Sequence, residues 1–258
     1  DNFEQELINL GYDNVLDDSV FTANINTVTA LGLNGINSSS ISNISDITGI
    51  EGFSSLVDFS IVFTQISSIN LSNNTALTDI NCTGNQLTSI DVSQKNALTT
   101  LVCNNNLLTS IYLSQNTALE VFGCHFNQLT SLDVSEATNL FSFNCENNNL
   151  TNLDLRNGNN TNMGYFDAGV FYPYIWCRNN PNLSCINVDD SNWSTTNWII
   201  DPQHYFSNNC PPSSIQEETA NKGLLKITDL LARETKQTNQ PLLFLYDDGT
   251  VEKRIVIE

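Results

Sequence analysis

The chain has 258 residues; only 14% are charged, yet the formal net charge is -19. Residues 1–210 carry three basic side chains (Lys95, Arg156, Arg178) against 20 acidic ones, which excludes phosphate backbones and anionic membranes as natural partners, since such binding rests on Lys and Arg. No apolar run approaches the roughly 18 residues that a membrane-spanning helix needs.

The chain opens "DNFEQELINL", without Met or a signal-like apolar core, and is read as a mature or trimmed form. Residues 1–27 are expected to form an N-terminal cap. Phe3, Leu7 and Leu10 share a helical face, Asn2 is placed to cap it and Gly11 to end it.

From residue 28 to 168 a 21-residue period dominates. Leu77, Leu98, Leu119 and Leu140 recur at that step, as do Ile80, Leu101, Phe122 and Phe143, and Cys82, Cys103, Cys124 and Cys145. Asn85, Asn106, Asn127 and Asn148 follow the cysteines by three. The pattern L-x-x-L-x-L-x-x-N at this period is the leucine-rich-repeat signature. Strand alternation turns Leu77, Ile80 and Cys82 inward and Asp79 and Asn81 outward, so stacked copies make a parallel sheet. The asparagines are expected to satisfy backbone groups inside each turn. A second short strand, "TSIDVS", supplies the opposite wall, and 21 residues leave little room for a helix. The fold class is therefore mainly β, a solenoid with a short helical N-terminal cap, a disulfide C-terminal cap and a small β tail.

The ladder cysteines share their column with Ile61 and read as small buried hydrophobes that stay reduced. Structural zinc needs short Cys spacings, which this column lacks. Cys185 and Cys210 bracket the cap 25 residues apart and are expected to pair, which suits an oxidising compartment. Residues 169–210 hold an aromatic insert and this cap. Two registers compete across the insert. In the favoured one Met163, Phe166 and Ala168 continue the core frame and residues 169–178 protrude; in the other, Tyr172, Ile175 and Cys177 fill the frame and Cys177 becomes a fifth ladder thiol. In either, Phe171, Tyr172, Tyr174 and Trp176 cannot all be buried.

Two candidate surfaces follow. On the strand face, His125 and Phe126 stand in columns otherwise filled by small or polar residues, with Phe63, Val102 and Val121 nearby; the aromatic insert is the other. Exposed Tyr and Trp suit protein and sugar contacts. The expected function is non-enzymatic binding or adhesion, with a protein or glycan as ligand and the chain a monomer. The alternative is a structural or ordered-surface role through Thr88-Ser89, Thr109-Ser110, Thr130-Ser131 and Thr151-Asn152, whose flatness Asp91, Tyr112, Asp133 and Asp154 interrupt. Two distant histidines and solvated acid pairs offer no catalytic set, and no cofactor or metal is implied. The sequence leaves open whether calcium binds near Asp13, Asp17 and Asp18.

After a linker at 211–223, residues 224–258 contain alternating strands and a "DDG" turn. On "LLKITDLLARET" and "PLLFLYDDGTVEKRIVIE" this segment resembles the C-terminal sorting domain of proteins exported by the type IX secretion system of Bacteroidota. On "NTALTDINCTGNQLTSIDVS" and its copies, the rest resembles the secreted leucine-rich-repeat proteins of that phylum, related to internalin-type cysteine-ladder repeats. The resemblance implies export to an extracellular or outer-membrane surface location, contact with the secretion machinery through residues 224–258, and removal of the tail. It brings no catalytic residues, and the aromatic insert departs from the family's usual cap.

Overall fold

Alternation inside each repeat places one residue in the core and the next in solvent, so copies stacked at 21-residue intervals must pair strand on strand. The computed structural model describes residues 2–167, 170–211, 224–229, 241–246 and 251–255. In chain order these hold helix α1 (Asn2–Asn9), one-turn helix α2 (Thr22–Ile25), strand β1 (Ala30–Asn34) and one-turn helix α3 (Ser39–Ser42). Strands β2 (Asp58–Val62), β3 (Asp79–Asn81), β4 (Thr100–Val102), β5 (Val121–Gly123), β6 (Ser131–Asp133), β7 (Ser142–Asn144) and β8 (Asn152–Asp154) follow. Then come β9 (Gly164–Asp167), β10 (Val170–Pro173), β11 (Cys185–Asn187), helix α4 (Ser191–Asn197) and β12 (Tyr205–Ser207).

Strands β1, β2, β3, β4, β5 and β7 form a six-stranded parallel sheet. Its register advances by one repeat per strand, setting Phe59 opposite Ile80, then Leu101, Phe122 and Phe143. The opposite wall is a regular parallel sheet only later, in the order β12-β11-β8-β6. The strand expected in every "TSIDVS" copy is therefore absent from the earlier coils. Ile90 and Ile111 still turn into the core there, because burial demands the inward side chain and not a ladder. The result is a mostly-β parallel solenoid.

The asparagine column joins the coils. Asn106 donates through Nδ2 to the Cys103 carbonyl of its own coil (3.2 Å) and to the Cys82 carbonyl of the coil before (2.9 Å). Its Oδ1 accepts the Leu87 amide at 3.0 Å. Asn127 and Asn148 repeat all three bonds one and two coils on.

A second column runs through Asn74, Lys95 and Asn116. Asn74 bonds the Ile50 and Phe53 carbonyls, and Asn116 those of Val92 and Lys95. Lys95 takes the intervening place and is only 2% exposed. Burial lowers its pKa, and Asp91 opposes that shift.

The N-terminal cap departs from expectation in two details. Phe3 and Leu7 are buried, but Leu10 is 45% exposed and Tyr12 packs on the core in its stead. Gly11, at φ 81°, ends the helix, so the chain turns before Leu10 can reach inward. Asn2 lies within the helix and spends its side-chain amide on the Asn43 carbonyl at 3.0 Å. At the other end Cys185 and Cys210 form the expected disulfide, with Cα atoms 5.8 Å apart. Asp190 caps α4 by accepting the Asn192 and Trp193 amides.

The chain divides into two units, Asp1–Pro211 and Pro212–Glu258. The second is an antiparallel sheet of β13 (Leu224–Asp229), β14 (Pro241–Tyr246) and β15 (Val251–Ile255), with β14 central. The linker from residue 212 and the "DDG" turn lie outside the described residues.

Two substitutions test the columns. Asn127→Ala leaves the buried Leu108 amide without its partner and takes one of two donors from each of the Cys103 and Cys124 carbonyls, and is expected to cost roughly 3 kcal/mol in denaturant unfolding. Lys95→Asn puts the column's own residue in place and is expected to gain about 1 kcal/mol. Because burial lowers the Lys95 pKa, the unfolded chain keeps that proton to higher pH than the folded one. Wild-type stability should thus rise as pH climbs toward 10.5, and the variant should lack that rise.

Candidate functional site

The strand face is laid out by register. One outward column runs Ser60, Asn81, Val102, Gly123, Asn144 and Trp176, the last through a parallel bridge between Asn144 and Trp176. The Cys145 amide donates to the Trp176 carbonyl at 2.7 Å and the Asn147 amide to the Arg178 carbonyl at 3.0 Å. Arg178 thus extends the column of Asn104, His125 and Glu146, and Tyr174, two residues before Trp176, extends that of Thr100, Val121 and Ser142.

This settles the insert's register against the expected one. Met163 fills the leucine column, but Ile175 and Cys177 occupy the next two core positions, all three fully buried. Cys177 is a fifth ladder thiol, three residues before Asn180. Asn180 bonds the Cys177 and Cys145 carbonyls (2.9 and 3.1 Å) and accepts the Leu150 amide. The excursion falls inside the core frame instead of after it, as the hairpin of β9 and β10. Ile175 and Cys177 fill the core positions expected of Phe166 and Ala168; Ala168 and the Phe166 side chain themselves lie outside the described residues.

The hairpin register sets Tyr172 opposite Tyr165. Their rings stack at 5.3 Å and 17°. Tyr174 and Trp176 pack edge to face at 4.7 Å, and Tyr165 touches both, at 6.2 and 5.8 Å. Three of the four expected insert aromatics therefore come together, joined by Tyr165, which sequence reasoning passed over. Phe171, on the alternate side of its strand, covers Gly164, where a Cβ would lie 2.8 Å from the ring.

Glu146 lies beside this cluster. Burial raises its carboxyl pKa, Arg178 lowers it and Asp201 adds to the rise. Asp201 also accepts the Asn179 amide at 2.7 Å.

His125 and Phe126 sit one coil earlier in that column pair, their rings edge to face at 5.5 Å. Gly123 makes room for the Asn104 side chain, whose Oδ1 accepts the His125 amide at 3.1 Å. Burial lowers the His125 pKa, favouring the neutral ring.

Phe126 belongs to a column with left-handed backbone: Phe63 (φ 55°), Gly84 (72°), Asn105 (52°), Phe126 (54°), Asn147 (55°) and Asn179 (57°). Gly and Asn suit that region; a phenylalanine there is strained, by about 1 kcal/mol or more. Phe63 and Phe126 are nonetheless 43% and 52% exposed, with the Phe63 ring lying over Gly84. Val102, one coil before Phe126, and Val121, on the same coil, are half-buried.

The remaining candidates resolve simply. All five ladder thiols are unpaired and buried, and burial pushes those of Cys82 and Cys177 up to about 12, far from reactive thiolate. His204 is buried in the C-terminal cap with Nε2 3.3 Å from the Asn180 carbonyl, remote from His125 in the chain. Asp13 and Asp17 meet Glu4, with carboxylate oxygens within 4.8 Å of one another; Asp18 is not part of that group. Glu4 accepts the Asp17 and Ser19 amides, which ties the loop to α1.

No protein-family model matches the chain, and no curated protein matches it in sequence. Solved structures do. The chain is similar to internalin C2 of Listeria monocytogenes, with TM-score 0.58 and 17% identity over 80% of this chain and 92% of that one. It is also similar to a leucine-rich-repeat protein of Leptospira interrogans, with TM-score 0.52 and 16% identity over 73% of this chain and 51% of that one. The functional domain of InlJ from Listeria monocytogenes, which includes a cysteine ladder, matches at TM-score 0.44 and 18% identity over 90% and 72%. The solenoid and the first two of these neighbours define a leucine-rich-repeat fold like that of internalin C2.

Deleting residues 165–173 leaves Met163-Gly164-Tyr174-Ile175, the normal three-residue step between the two core positions. The shortened chain is expected to melt cooperatively, within roughly 5 °C of the full chain. Loss of a cooperative melt would mean that the hairpin is part of the core.

Proposed function

We propose that the protein is a non-enzymatic binding or adhesion scaffold whose recognition surface is the outward strand face together with the aromatic hairpin. One observation carries this. The chain leaves the repeat inside a core frame, and four aromatic side chains gather there on the same face as His125 and Phe126. Residues held in strained backbone and still exposed, as Phe63 and Phe126 are, point the same way. The ligand is a protein or a glycan, and the scaffold acts as a monomer. Five inert thiols and a histidine favouring the neutral form fit recognition better than catalysis.

The Cys185–Cys210 disulfide supports export to an oxidising exterior, at the cell surface or beyond. Residues 224–258, a separate three-stranded unit, would serve as the sorting element read by the secretion machinery.

The test is full-length protein on arrays of glycans and extracellular proteins, beside the 165–173 deletion and a His125→Ala/Phe126→Ala pair. At least one ligand should bind wild type and weaken about tenfold or more in one of the variants. Binding indifferent to both changes would remove the site from this face. Failure to bind anything would favour the structural role, for which ice-growth and crystalline-polysaccharide assays of the exposed Thr/Ser ladder are then decisive.

A further inference from the structure

We propose that Tyr165, Tyr172, Tyr174 and Trp176 form a platform for the apolar ring face of an uncharged pyranose chain, with Asn144 and Glu146 meeting its hydroxyls. This rests on the binding-face reading above and names its ligand.

The platform is built before any ligand arrives. Each of the four rings packs on at least one other, yet Tyr165 and Tyr172 remain 41% and 43% exposed. Rings immobilised by each other lose little further freedom on binding, and their flat apolar faces match the C–H face of a sugar ring. Tyr165 and Tyr172 stack on one another nearly parallel at 5.3 Å, which leaves no slot between them for a cation. What they offer is an outer surface.

The surroundings are polar, and beside Glu146, Arg178 and Asp201 they offer uncharged side chains. Ser142 and Asn144 lie one strand away from Tyr174 and Trp176, and Thr100 and Asn81 lie further along the same columns. Asparagine and hydroxyl side chains both donate and accept, as sugar hydroxyls do. Successive coils are spaced about 4.8 Å apart, close to the length of one sugar unit in an extended chain. A glycan lying across the strands would therefore meet a fresh set of these side chains at each residue.

Charge selects among glycans. The first 210 residues hold three basic side chains against 20 acidic ones. Arg178, the basic group in these columns among the described residues, lies beside Glu146, whose carboxyl also feels the negative charge of Asp201. Sulfated, sialylated or uronic-acid chains would enter a negative field whose nearest cation already has the Glu146 carboxylate beside it. A neutral chain pays no such penalty.

The experiment titrates the full chain with neutral hexaoses of β-linked glucose, xylose, mannose and N-acetylglucosamine, and with sulfated and uronic-acid oligosaccharides of equal length. Calorimetry and tryptophan fluorescence report binding by wild type, Tyr172→Ala, Trp176→Ala and Tyr112→Ala, each checked by its melt. Tyr112 is 78% exposed on the opposite wall and serves as the control aromatic.

At least one neutral hexaose should bind, weakened about tenfold or more by Tyr172→Ala and unchanged by Tyr112→Ala. Should Trp176→Ala fail to fold, Tyr172→Ala on the projecting hairpin carries the test alone. Binding confined to acidic chains overturns the proposal, as does equal affinity in Tyr172→Ala. A protein ligand on this face with no sugar bound overturns it too, while leaving the binding-face reading intact. Neither sugar nor protein bound ends both.

Discussion

Everything in this solenoid depends on the asparagine that follows each ladder cysteine by three. A coil of 21 residues is too short to close its own backbone hydrogen bonds, so carbonyls and amides at the turn point into the core. An unpaired polar group there costs about 1–3 kcal/mol. Asn127 answers with two donated bonds and one accepted bond, shared between adjacent coils. The side chain is thus both the turn's filling and the rivet between neighbours, which explains why no charged or purely apolar residue replaces it in the regular copies.

The backbone must bend sharply to bring that asparagine inward, and the residue before it takes the bend. Gly84, Asn105, Phe126, Asn147 and Asn179 each precede a ladder asparagine, and all have positive φ. The strain at Phe126 is therefore a consequence of the core. The cysteine column answers to the same demand. Its carbonyls receive the asparagine amides of two coils, so a small side chain suits a position crowded by that exchange. Burial then keeps the thiols protonated, and that of Cys103 donates to the Gly123 carbonyl at 3.4 Å.

Periodicity made the core legible, since burial acts at every repeat and leaves Leu, Ile, Phe, Cys and Asn in fixed places. The disulfide was legible for a similar reason, as a brace at an end that has no next coil to lean on. The insert was not. Met163 satisfies the frame, then nine additional residues intervene before Ile175 satisfies it again, and a periodic template cannot tell interruption from continuation. The asparagine offered the discriminating signal: Cys177-x-x-Asn180 repeats Cys145-x-x-Asn148, whereas the favoured register left Ala168 with no such partner. Tyr165 became visible as a site residue only through cross-strand pairing with Tyr172, which depends on the hairpin turn. Leu10 and Asn2 missed for local reasons: the helix stops at Asn9, with Gly11 turning the chain away, and it starts at Asn2 itself, whose side chain bonds Asn43 instead of capping.

Placing the interruption inside a core frame has a mechanical consequence that a loop between coils would not. Met163 anchors the hairpin where it leaves, and Ile175 anchors it where it returns, both fully buried. Closing a loop of that length is entropically cheap, and the hairpin's own register stacks Tyr172 on Tyr165. Tyr174 and Trp176, by contrast, are held in the columns of the sheet, Trp176 directly by its bridge to Asn144. The cluster therefore combines two rings that project with two that the solenoid fixes. Groups held on regular elements keep their geometry better than groups on loops, so the sheet lends its precision to the hairpin through the contacts of Tyr165 with Tyr174 and Trp176. A repeat that is rigid because its asparagines leave no slack is the kind of support that such a surface requires.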